Sequence, residues 1–130
     1  MATRIGNNMD ALLVEWKHRL GLDDWHIVLE QDCSPNDMTL TGVQGECERD
    51  EVNKCGVIRI LCEKDYGNRI LPFDKEKVLV HELMHFKFVF LEMSESELQN
   101  RLVHQYIDDL ARALVDAKRS GNNGKIDDKN

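Results

Sequence analysis

The chain has 130 residues, enough for one domain with a core that needs no disulfide staples. Its formal net charge is −7, from 24 acidic and 17 basic residues, which speaks against binding to a nucleic-acid backbone through a broad basic face. No stretch has the length of a membrane span, and the first residues lack the charged-then-apolar pattern of a signal peptide, so a cytoplasmic location without a membrane partner is expected.

Met9, Leu12, Leu13, Trp16 and Leu20 recur at a helical period, and Gly21 follows as a stop signal. Trp25 to Leu29 reads as a strand closed by the turn-forming run Asp32 to Asp37. Thr39 to Glu48 and Gly56 to Glu63 read as two more strands, joined through Arg49 to Lys54. A loop with Asp65, Tyr66, Gly67 and Asn68 leads to a long helix from about Asp74, its N-cap, to Glu92. Ser94-Glu95-Ser96-Glu97 has the form of a capping box and opens a last helix ending near Lys118. Residues 1–119 are therefore expected to form one α+β domain, and the Gly-, Asn- and charge-rich residues 120–130 a disordered tail.

Cys33, Cys47, Cys55 and Cys62 contain no Cys-x-x-Cys pair, so reduced thiols in or near strands are expected rather than a zinc ribbon.

His81-Glu82-Leu83-Met84-His85 carries the chemistry. Two histidines four apart share one face of a helix, where both imidazoles reach one metal ion. Glu82 then lies beside that ion, placed to take a proton from a water that zinc has made more acidic. Catalytic zinc normally has three protein ligands, so a third must come from elsewhere. The position six residues past His85 is Leu91, which excludes the metzincin arrangement.

On the last helix Val103, Ile107, Leu110, Ala111 and Leu114 define an inward face, and His104 on its flank is the expected third ligand. Glu92 would lie about 10 Å up the axis of the motif helix, too far for the same ion unless the helix breaks. Glu95 and Glu97 read as first-turn carboxylates favoured by the helix dipole. Asp108, one turn after His104, is the candidate carboxylate for the second ring nitrogen of a ligand histidine. Of the two tyrosines, Tyr106 should face away from His104, which leaves Tyr66 as the candidate oxyanion group.

The segments Leu22 to Ile27, Val57 to Ile60, Val78 to His85 and Ile107 to Leu114 together resemble small zincin-type metallopeptidases of bacteria and phages, similar to SprT-like and minigluzincin domains. The resemblance covers about residues 9 to 118, and only the zinc motif in it is highly specific. It implies a minimal zincin fold: N-terminal helix, three-stranded sheet, motif helix and C-terminal helix, with an edge strand that holds a substrate backbone. A histidine at position 104 corresponds to the SprT-like arrangement, whereas gluzincin-like members have a glutamate there. The function implied is zinc-dependent hydrolysis of peptide bonds in a peptide or protein substrate. Hydrolysis of non-peptide amides, and a non-catalytic zinc-binding domain of a phage or mobile element, are the alternatives. DNA association, known for SprT-like proteins, is not expected here, for want of a basic region.

Overall fold

The computed structural model describes residues 3–67, 70–93 and 95–127. Helix α1 (Thr3–Arg19) is followed by strands β1 (His26–Cys33), β2 (Gly45–Asp50) and β3 (Cys55–Leu61), then helices α2 (Lys75–Lys87) and α3 (Glu97–Asp127). Short 3-10 turns lie at Pro35–Asp37, Glu63–Asp65 and Leu91–Met93. The fold is α+β with a mixed three-stranded sheet in the order β1-β3-β2, β1 parallel and β2 antiparallel to the central β3.

Side chains alternate across β2 and β3, and this decides what faces α2. Ile58 and Ile60 are fully buried on the helix side. Gly45 and Cys47 pair with them, and Arg49 pairs with Gly56. On the other side Glu46 pairs in register with Arg59, which also bonds Glu30 and Glu48.

Two glycines set how closely the sheet approaches α2. A Cβ at Gly45 would lie 2.6 Å from Val78 Cγ1, and one at Gly56 would lie 2.6 Å from Phe86 Cε2 and 2.4 Å from the Glu48 carbonyl oxygen. Gly56→Ala is expected to lower the unfolding free energy by about 1–3 kcal/mol, because the sheet and the Phe86 ring would have to separate. Urea titration measures this directly.

The core joins Trp16 of α1, Ile58 and Ile60 of β3, Leu79, Leu83 and Phe86 of α2, and Ile107, Ala111 and Val115 of α3. Of the five residues expected to face inward on α3, Ile107 and Ala111 are buried and Val103 and Leu114 partly so. Leu110 is 44% exposed, and Val115, which the pattern did not single out, takes a fully buried place.

Beneath the core, Glu76 accepts hydrogen bonds from Trp16 Nε1 (2.7 Å) and Lys118 Nζ (2.7 Å), while Arg119 bridges Asp74 and Glu76. Burial alone would raise the Glu76 carboxyl, but these donors outweigh it and hold it below the ordinary 4.5; Asp74 is likewise held down by Arg119 and the Lys77 N–H. A carboxylate depressed in the folded state contributes stability that is present above its unfolded pKa and lost as pH falls through the folded one. Stability should therefore decline below about pH 4.5, and less steeply in Lys118→Met. Urea midpoints measured at a series of pH values test the difference.

Several boundaries differ from expectation, each for a local reason. Strand β1 runs on to Cys33 through an irregularity after Glu30, with Asp32 at positive φ, so the turn cluster begins later. The second strand starts at Gly45 rather than Thr39, because the Thr39 and Leu40 N–H groups donate to the Glu46 carboxylate (2.8 Å each) instead of to a strand. Helix α2 stops at Lys87, with Phe88 as its C-cap, and the chain turns before Glu92. Asp74 caps α2 as expected, its carboxylate accepting from the Lys77 N–H at 3.2 Å. The first turn of α3 is capped by Ser96, whose Oγ accepts from the Gln99 N–H. Ser94 and Asn68 lie outside the described residues. Helix α3 continues to Asp127, past the end expected near Lys118. All four cysteines are free thiols, in β1, β2 and β3 and just beyond β3. Among the described residues no helix is long and apolar enough to cross a membrane.

Candidate metal centre

His81 and His85 are half-buried on the face of α2 that looks towards α3, with Glu82 and Leu83 between them buried. This arrangement follows from packing, since Val80, Leu83 and Met84 lock the helix against the core and leave the two imidazoles at its margin. The turn after α2 brings α3 back alongside, and exposed His104 comes to face the pair. The ring centroids of the three histidines lie 5.0–5.3 Å apart. One nitrogen from each falls within 4.8 Å of the others, a group that could hold a metal ion.

The tautomers follow from the neighbours. His85 Nδ1 lies 2.7 Å from Glu92 Oε1, and His81 Nδ1 lies 3.3 Å from Asp108 Oδ1. A carboxylate can only accept, so each Nδ1 is placed to donate to its carboxylate, which leaves the two Nε2 atoms as the nitrogens that face each other. Those two Nε2 atoms are 3.2 Å apart. That separation suits either a proton shared between the rings or a metal ion held by both, since two nitrogens on a tetrahedral zinc at about 2.0–2.1 Å each would be about 3.3–3.4 Å apart. Burial lowers the His81 pKa to about 4, with His85 and His104 acting in the same sense and Asp108 against it. The ring is therefore neutral at physiological pH, the form that ligates a metal. The donor set fits zinc.

Glu82 points from α2 towards β2, its Oε2 beside Gly45. It is 6% exposed, and burial pushes its carboxyl up to about 7, against the opposing influence of His85 and of a hydrogen bond from the Cys47 thiol. Burial, followed by the charge of Glu82, in turn raises the Cys47 pKa, so this thiol stays protonated.

A cleft of about 800 Å³ opens over the histidines, lined by Gly42 to Cys47, by Tyr66, Leu71 and Pro72, and by His104, Gln105 and Arg112 of α3. Tyr66 is buried in its wall and donates its hydroxyl to the Leu71 carbonyl at 2.5 Å. Tyr106 is 58% exposed and outside the cleft lining, while His18 pairs with Asp23 on the surface.

The motif residues, His104, Asp108 and Tyr66 thus meet in one cleft, with Asp108 on His81 and also paired to Arg112 at 3.0 Å. Sequence reasoning missed the partners that β2 and the end of α2 supply. Arg49 Nη1 donates to the His85 carbonyl (2.7 Å) and to Glu92 Oε2 (2.9 Å), and Cys47 bonds Glu82. Arg49 was read as the first residue of the connection after the strand, whereas β2 runs on to Asp50 and sets Arg49 in alternation with Gly45 and Cys47. Glu92 does return towards the motif because the helix breaks, yet it reaches the Nδ1 side of His85 rather than the converging nitrogens.

No protein-family model, curated protein or solved structure matches the chain.

Proposed function

We propose that the protein is a zinc-dependent metallopeptidase of minimal zincin type that hydrolyses peptide bonds in a peptide or protein substrate. The observation that carries this reading is the convergence of the His81 and His85 Nε2 atoms at 3.2 Å, both Nδ1 atoms on carboxylates, with His104 opposite and Glu82 in the same turn. Zinc held by His81, His85 and His104 would supply Lewis acidity to a substrate carbonyl and to a water in the cleft. Glu82 takes the proton of the attacking water on its carboxylate and passes it to the leaving amine. It is not itself needed as a ligand, and its presence favours catalysis over a purely structural zinc.

The cleft suits an extended chain. Among the described residues strand β2 pairs only with β3, and its residues Gly45 to Cys47 line the cleft. An extended peptide adding to that open edge would bring successive carbonyls past the histidines. Tyr66, after exchanging its bond to Leu71, would donate to the oxyanion.

The test is incubation of the zinc-loaded protein with an unfolded protein substrate, followed by mass spectrometry of new termini. New termini that appear with zinc and vanish with a chelator are expected. A zinc-loaded protein that cleaves neither proteins nor a diverse peptide library would contradict the peptidase reading.

A further inference from the structure

Glu92 and Arg49 make the best-defined polar contact on either α2 histidine. His85 Nδ1 to Glu92 Oε1 is 2.7 Å, against 3.3 Å for His81 to Asp108. Both Glu92 oxygens are engaged, the second by Arg49 Nη1 at 2.9 Å, and the same nitrogen donates to the His85 carbonyl at 2.7 Å. Arg49 therefore grips the backbone of His85 and the carboxylate that holds its ring. The group is shielded, with the side chains of Arg49 and Glu92 25% and 19% exposed, whereas Asp108 is 38% exposed and shared with Arg112. Charge-assisted bonds out of water are short and directional, and they fix a ring better than exposed ones.

We infer that Glu92 and Arg49 form a positioning clamp for His85, in which Glu92 fixes the tautomer that presents the Nε2 lone pair and Arg49 fixes Glu92. The inference rests on the metal-site reading given above. The early stop of α2 is what makes the clamp possible: an uninterrupted helix would carry Glu92 about 10 Å away from His85 along the axis, out of hydrogen-bond range. It also ties the metal-facing ring to β2, the strand with the open edge. Carboxylate partners of ligand histidines typically change metal affinity by about 10- to 100-fold when removed.

The experiment measures zinc affinity, by competition with a chromophoric chelator, for the parent, Glu92→Ala, Glu92→Gln and Arg49→Met. It is paired with ¹⁵N NMR of the His85 ring in the zinc-free proteins. The parent should show one tautomer, protonated at Nδ1. Glu92→Ala should lose that preference and bind zinc about 10- to 100-fold more weakly. Glu92→Gln keeps a carbonyl acceptor and should recover part of the affinity, and Arg49→Met should fall between parent and Glu92→Ala. Unchanged affinity in Glu92→Ala with a zinc-binding parent overturns the clamp alone. A parent that takes up no zinc overturns the metal reading and the clamp with it. Should Glu92→Ala fail to fold, Arg49→Met decides, and parental affinity there overturns the clamp.

Discussion

Glu82→Gln is expected to lower peptide-bond hydrolysis by at least about 10²–10⁴-fold, the usual contribution of a positioned general base, while zinc stays bound. Glutamine keeps the shape and the bond from Cys47 but cannot take a proton. Because Glu82 is 6% exposed and buried against β2, the isosteric change should leave the fold intact and remove a carboxylate that is costly to hold in an apolar site. Equal or higher thermal stability with abolished turnover would separate chemistry from structure. Retained turnover at full zinc occupancy would mean that Glu82 is not the base.

The largest structural effect is expected at Phe86, next to the second motif histidine. Its ring is 2% exposed, meets Trp25 edge-on at 5.1 Å and lies over Gly56, which is bare to admit it. Phe86→Ala should cost about 3–5 kcal/mol by the loss of buried area and the cavity left behind. Since Phe86 sits where α2 ends, the change should also loosen His85 and weaken zinc binding. Chemical denaturation of the zinc-free and zinc-loaded variant gives both numbers. A loss below about 1 kcal/mol would show that the ring is not what joins α2 to the sheet.

The reading order from helix to strands to two helices was legible because each signal was local. It lay in the 3.6-residue period around Trp16, the β-branched run at Val57 to Ile60, and Asp74 ahead of the motif. His104 was legible for a different reason, since a short link after the motif helix makes the last helix an antiparallel neighbour. What stayed hidden depends on contacts between distant segments. Thr39 and Leu40 look like strand residues until the buried Glu46 carboxylate claims their N–H groups. Glu92 looks out of reach until the helix ends at Lys87, an end that no proline or glycine announces. The carboxylates that hold the Nδ1 sides of His81 and His85, Asp108 and Glu92, both arrive from outside the motif.

The zinc content of the protein decides whether the three histidines form a metal centre. Elemental analysis of the purified protein, beside His104→Ala prepared the same way, should find one zinc per chain in the parent and a clearly reduced share in the variant. Full occupancy in His104→Ala would remove that residue from the ligand set. A parent with no zinc and no uptake of added zinc would rule out the metal centre, because His81 and His85 would then face each other for some other reason.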